Sequence, residues 1–107
     1  MSQVYSISNI YQLIQQLKNN GSKTVVLKCY MPWCGHCKNI AEPYRRLSER
    51  YNDVVFLEIN MENDNDGIGS KFGVSGYPTF LIFKNETVKS RVVGADLDRL
   101  ELNINSV

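Results

Sequence analysis

The sequence predicts an α/β fold, one mixed β-sheet flanked by helices, and three observations carry that reading. Two runs, Thr24–Tyr30 and Val54–Asn60, are nearly continuously apolar, the pattern of strands buried on both faces. Segments with apolar residues at helical spacing precede, separate and follow them. Further on, Thr79–Lys84 and Thr87–Val93 meet across Asn85-Glu86 as a hairpin, which is an antiparallel pair. The resulting order, β-α-β-α-β-α-β-β-α, is a parallel part followed by an antiparallel hairpin.

In chain order, Val4–Ile7 reads as a short strand. From Asn9 to Lys18, Ile10, Leu13, Ile14 and Leu17 mark one helical stripe, and Asn19-Asn20-Gly21 supplies its stop. Thr24–Tyr30 follows, β-branched at its start and ended by Pro32. A helix is expected from Cys34 to about Tyr51, with Ile40, Tyr44, Leu47 and Tyr51 on one side. After the strand Val54–Asn60, Asn63-Asp64-Asn65-Asp66-Gly67 reads as a turn leading to a short helix near Ile68–Phe72. Beyond the hairpin, Leu97, Leu100, Ile104 and Val107 define a last amphipathic helix, started by Asp96 or Asp98.

The 107 residues suit one domain, 1–107, with a single core, and contain no linker, repeat or low-complexity stretch. A formal net charge of +1 points to neither nucleic acid nor an anionic membrane surface as partner. No apolar run approaches the ~20 residues of a membrane span. The opening Met1-Ser2-Gln3-Val4-Tyr5-Ser6 has no basic and apolar leader pattern, and Ile104-Asn105-Ser106-Val107 is no retention signal. Three cysteines are too few for a disulfide-stapled scaffold, so a reducing compartment, the cytoplasm, is the expected location.

Chemistry concentrates in Trp33-Cys34-Gly35-His36-Cys37-Lys38. On a helix, thiols three residues apart lie one above the other and can close a small disulfide. A thiolate at the first can attack a disulfide, and the second can then expel what was captured. At a helix start the outward-pointing amides favour the Cys34 thiolate, whereas Cys37, one turn inside, is expected to be shielded and higher in pKa. An imidazole at His36 near Cys34 would favour the thiolate and so the reduced dithiol, making the couple more oxidising. The plainer readings are a buried structural pair and a solvated loop histidine. A structural zinc wants four ligands and this pair offers two, so no metal is expected. No flavin or nicotinamide fingerprint occurs either, so no cofactor is expected beyond the Cys34–Cys37 disulfide itself.

Together with Gly76-Tyr77-Pro78-Thr79 and Val93-Gly94-Ala95, that hexapeptide resembles the thioredoxin superfamily, over essentially the whole chain. Length and the opening residues resemble a free-standing cytosolic thioredoxin. Gly35-His36 and Gly-Tyr-Pro-Thr are similar instead to a protein disulfide isomerase domain. The resemblance implies a thioredoxin fold and an enzyme, a thiol–disulfide oxidoreductase that reduces or shuffles disulfides in protein substrates. Cys34 would be the nucleophile, Cys37 the resolving thiol, His36 a tuning residue, and Pro78 a cis-proline facing the dithiol. Trp33, Gly76, Tyr77, Pro78, Gly94 and Ala95 would form the contact surface for disulfide-containing substrates. Electrons would come from a thioredoxin reductase or a thiol pool, to a monomer. The alternatives are isomerase or oxidase activity, and an interaction domain whose redox chemistry is incidental.

The chain departs from the resemblance in two places. Where the superfamily typically buries an acid six residues before the first cysteine, this chain has Lys28. Glu58, where relatives often carry a lysine, offers a charge-swapped partner and a proton relay with roles exchanged; the alternative is that Lys28 snorkels outward. The helix proline, usual five residues after the second cysteine, is displaced to Pro43 behind Glu42, where it disrupts a bond to Asn39. Cys29 reads as a small core residue, with a regulatory thiol the alternative.

Overall fold

The computed structural model describes residues 3–107; Met1 and Ser2, part of the opening stretch read for a leader, lie outside them. The elements run β1 (Val4–Ile7), α1 (Ile10–Asn19), β2 (Thr24–Tyr30), α2 (Gly35–Arg50), β3 (Val54–Asn60), α3 (Ile68–Phe72), β4 (Thr79–Lys84), β5 (Thr87–Val93) and α4 (Leu97–Ser106). They form one five-stranded sheet in the order β1-β3-β2-β4-β5. β3 pairs in parallel with β1 and β2, whereas β4 runs antiparallel to β2 and to β5. This is the expected thioredoxin fold, a parallel part closed by a hairpin.

Strand residues alternate between two apolar layers, as the pleat demands. Val25, Leu27 and Cys29 of β2 join Leu57, Ile59, Leu81 and Phe83 under Leu13 and Leu17 of α1. On the opposite face Val26, Phe56, Phe80 and Ile82 meet Ile40, Tyr44 and Leu47 of α2 and Leu100 and Ile104 of α4. Tyr44 ties α2 to the sheet, its hydroxyl donating to the Leu57 carbonyl at 2.9 Å. The same parity puts Lys28 on the α2 face, opposite Glu58 in the parallel register.

Local chemistry explains the ends. The Asn9 side chain accepts from the Gln12 amide and caps α1, and Asp96, of the two aspartates, accepts from the Arg99 amide and caps α4. α2 continues through Pro43, which lies inside it. The hairpin turns on positive φ at Asn85 (53°) and Glu86 (66°), the paired left-handed geometry that matches strand twist in two-residue loops. The polar turn before α3 is a fastener: Asp64 accepts from the Ile68 and Gly69 amides, both at 2.8 Å, and Asp66 accepts from the Ile10 amide at 2.9 Å. Among the described residues no helix is long and apolar enough to cross a membrane.

Candidate active site

β2 ends at Tyr30, and the short loop Met31–Trp33 delivers the chain to α2. The Cys34 amide donates to the Met31 carbonyl at 3.2 Å, which closes that loop. Cys34 is the residue just outside the helix, at φ −83° and ψ 118°, and its sulfur accepts from the Cys37 amide at 3.2 Å. A sulfur thus occupies the place where a capping oxygen usually satisfies the first-turn amides. The Cys34 thiol donates in turn to the Tyr77 carbonyl at 3.6 Å. Cys29, Cys34 and Cys37 are all free thiols. Cys34 retains 8% exposure against 3% for Cys37 and none for Cys29, so solvent reaches the first thiol best.

The two site thiols are pushed in opposite directions. Cys34 lies below its ordinary value of 9.0, chiefly because the Cys37 thiol hydrogen-bonds to it, with the amides of Cys37 and His36 assisting against desolvation. Cys37 is raised to about 11, first by burial and then by that same thiol contact, while the Met31 amide and the Lys28 charge pull it down. At His36 the group that reaches Cys34 is the backbone N–H. Its ring is exposed.

Lys28 is buried at 3% exposure, and its ammonium meets Glu58 Oε1 at 3.3 Å. It does not snorkel outward. Its Nζ stands 5.0 Å from the Tyr44 ring centroid and 5.2 Å from that of Tyr30, so two aromatic faces flank the cation. The other Glu58 oxygen accepts from the Ser6 hydroxyl at 2.8 Å. Lys28 and Glu58 share a cleft of about 220 Å³ with Cys37, Tyr30, Met31, Pro32, Lys38 and Ala41. The sequence had offered no signal for the Met31 amide or the two ring faces as parts of the site. Cys29 is held in the other apolar layer, its thiol pushed up to about 12 by burial and by Asp64.

Opposite Cys34, the Tyr77–Pro78 peptide is cis. The Pro78 carbonyl accepts from the Gly94 amide at 2.8 Å and the Gly76 carbonyl from the Thr79 hydroxyl at 2.6 Å, so this turn is tied to the residue that follows β5 and to the start of β4. Gly94 has φ of 101°, which glycine alone adopts without strain. Trp33 is 67% exposed, Val93 58%, and Ala95 is exposed, giving the rim an apolar surface. Among the described residues no group of three or more His, Cys, Asp or Glu is arranged to hold a metal ion.

A Cys-x-x-Cys pair at a helix start on this sheet, facing a cis-proline turn, defines a dithiol protein of thioredoxin-like architecture. The thioredoxin family pattern matches residues 7–106, and the chain belongs to that family. It is 42% identical over 87 residues to the chloroplastic F-type thioredoxin of Pisum sativum, covering 81% of this chain and 48% of that protein. It is 41% identical over 93 residues to protein disulfide-isomerase 1 of Dictyostelium discoideum, covering 81% of this chain and 26% of that protein. The crystal structure of thioredoxin f from spinach chloroplast superposes with a TM-score of 0.92 at 34% identity, covering 98% and 93% of the two chains. Thioredoxin f2, solved in a complex with ferredoxin:thioredoxin reductase, gives 0.91 at 36% identity over 97% and 94%.

These relatives correct the expected cytoplasmic location: the matched thioredoxins of pea, Arabidopsis thaliana and rice are chloroplastic. A low cysteine count argues for a reducing environment without naming the compartment. The chain also spans about half the length of the curated relatives it matches, so its opening residues say nothing about a leader.

Proposed function

We propose that this protein, a single domain, is a thiol–disulfide oxidoreductase of the thioredoxin type that reduces disulfides in protein substrates. The Cys34 thiolate attacks one sulfur of the substrate disulfide, and the other substrate sulfur leaves with the bonding pair and takes up a proton. Cys37 loses its proton and attacks Cys34; the Cys34–Cys37 bond forms, and the second substrate sulfur departs as a thiolate. The substrate gains two electrons and the dithiol loses two. Lys28 and Glu58 serve the proton transfer from Cys37, with the Glu58 carboxylate as the acceptor. Trp33, Gly76, Tyr77, Pro78, Gly94 and Ala95 form the surface on which the substrate segment lies, and the protein works as a monomer. Electrons return from a thioredoxin reductase, for which the thioredoxin f2 complex offers a precedent, or from a thiol pool.

The observation that carries this reading is the Cys34 sulfur accepting from the Cys37 amide at 3.2 Å beside the Cys37 thiol, contacts that favour the thiolate on Cys34. Insulin-disulfide reduction with dithiothreitol as donor tests it. The protein is expected to accelerate precipitation of the insulin B chain, and Cys34→Ser to abolish the effect; equal rates with and without the protein refute the reading. A second reading, net isomerisation or oxidation, draws on Gly35-His36 and the Dictyostelium likeness. The potential of the couple against glutathione decides between them.

A further inference from the structure

The cleft beneath the dithiol holds a cation, and its placement raises a question of chemistry. An ammonium has no lone pair, so Lys28 in its charged form cannot receive a proton from Cys37. Of the pair, only Glu58 can. What Lys28 contributes must therefore be its charge.

We propose that Lys28 is a positioning residue for the resolving step: its ammonium, held beneath Cys37 by Glu58 and two tyrosine rings, stabilises the Cys37 thiolate as it forms. The inference rests on the dithiol-exchange reading above and deepens it.

The geometry makes the effect specific. Lys28 and Cys37 line one cleft, and Lys28 has 3% exposure, so little solvent screens its field. The charged and titratable groups around Cys37 are few. β2 contributes Lys28 and Tyr30, β3 Glu58, and α2 Lys38, with Cys34 and His36 at the helix start. Tyr30 is raised above its ordinary value by burial, by Glu58 and by Cys37, which leaves the phenol neutral at neutral pH. His36 and Lys38 are exposed, so solvent weakens their reach. Lys28 is the one buried cation among these groups, and it pulls the Cys37 thiol down against burial.

The surroundings also select a cation at this position. The negative faces of the Tyr44 and Tyr30 rings, at 5.0 and 5.2 Å, favour an ammonium and would repel a carboxylate. Glu58, with 26% side-chain exposure, stands between Lys28 and solvent. It shares Lys38 and Ala41 with a second groove that opens past Gln3, Val4, Glu42 and Arg45. Proton balance follows. The Cys37 proton passes to the Glu58 carboxylate and out by that groove, the Cys37 electron pair forms the bond to Cys34, and the substrate sulfur leaves with the pair of the broken bond. Lys28 keeps its three protons throughout.

Dithiobis(nitrobenzoate) separates the steps. Cys34 releases a first thionitrobenzoate on attack, and Cys37 releases a second on resolution. Both are followed by stopped-flow absorbance across pH in the full chain. In Lys28→Met the first release is expected to keep its rate and pH profile. The second is expected to slow roughly tenfold at neutral pH, with its midpoint raised by about one unit, the lower end of the effect of a close opposite charge. Lys28→Arg should restore it. Glu58→Gln removes the neutralising partner and the proton acceptor, so the midpoint should fall while the plateau rate drops; this opposite sign decides the matter should Lys28→Met fail to fold. A second-release profile in Lys28→Met that superimposes on the parent, or a midpoint that rises in Glu58→Gln, overturns the inference. Loss of the first release in the parent protein would instead overturn the dithiol-exchange reading.

Discussion

Replacing Glu58 by alanine strands a charge, and the structure sets the scale of the consequence. The Lys28 side chain is 4% exposed and that of Glu58 26%, with 3.3 Å between the charged atoms. Breaking a buried pair by removing one partner typically destabilises by about 3–5 kcal/mol, because the remaining ion is neither solvated nor neutralised. Two effects reduce that figure here: water enters from the Glu58 side, and the two ring faces each retain about 0.5–1 kcal/mol of attraction. The expected destabilisation for Glu58→Ala is about 2 kcal/mol. Lys28→Met acts differently. It removes the ion together with the need to neutralise it, the methionine packs against the same rings, and Glu58 keeps Ser6 and solvent. That variant should lie within about 1 kcal/mol of the parent, on either side. Adding Lys28→Met to Glu58→Ala should then rescue most of the loss. Urea unfolding followed by circular dichroism measures all four corners of the cycle; at a slope of about 1–2 kcal/mol per molar, Glu58→Ala lowers the midpoint by at least ~1 M. A loss below about 0.5 kcal/mol for Glu58→Ala, or a larger loss for Lys28→Met than for Glu58→Ala, would refute the claim that an unneutralised ammonium is the source.

Two further outcomes follow from the thiols. His36→Pro deletes an amide donor to Cys34 and should destabilise the thiolate, hence the reduced form, making the couple more reducing by on the order of 30 mV, or tenfold in equilibrium constant. His36→Ala keeps the amide and should leave the potential measured against glutathione unchanged; equal shifts in both variants would reassign the effect to the ring. Cys29 is held near 12, above its ordinary 9.0, so its contribution to stability is complete below pH 9 and is lost as pH rises toward 12. Unfolding free energy should therefore fall by about 1.4 kcal/mol per pH unit in that window through this thiol, and Cys29→Ala should flatten the slope. Identical slopes in the two proteins between pH 9 and 11 would show that Cys29 is not the group responsible.

Strands were legible because a buried strand has few ways to be written: Thr24–Tyr30 and Val54–Asn60 are apolar almost throughout, and the structure bounds both as the pattern does. The Lys28–Glu58 contact was legible for a related reason. Two charges interrupting adjacent apolar strands must find each other or leave the sheet, and parallel register makes them direct neighbours. Turn side chains that reach backbone amides were not legible. Asp64 and Asp66 look like any polar turn, and only folding brings Asp66 to the amide of Ile10. The hairpin was visible at Asn85, which tolerates positive φ, but Glu86 gives no such warning. At His36 the residue type drew attention to an imidazole, whereas the group that reaches Cys34 is an amide every residue but proline carries.

The opposed behaviour of the two cysteines follows from their spacing rather than from two separate environments. Cys34 stands just outside α2, where its sulfur can accept from a first-turn amide; Cys37 stands inside, and its amide is the one that donates. The contact between the two thiols then acts on both at once, stabilising the anion on the acceptor and the proton on the donor. One more intervening residue would turn the second thiol about 100° further round the helix, away from the first. One fewer would place the second cysteine beside Cys34 at the helix end, where positions two apart do not face each other. For the exchange proposed above, two residues between the cysteines would set the order of events: the outer thiol is the easier to ionise while the inner one keeps its proton, and a Cys34 bound to a substrate would no longer accept from Cys37 as an anion. Part of what holds Cys37 protonated would disappear with that first step, so the second thiol would become easier to ionise at the moment it is needed, with the Lys28 charge already beside it in the cleft.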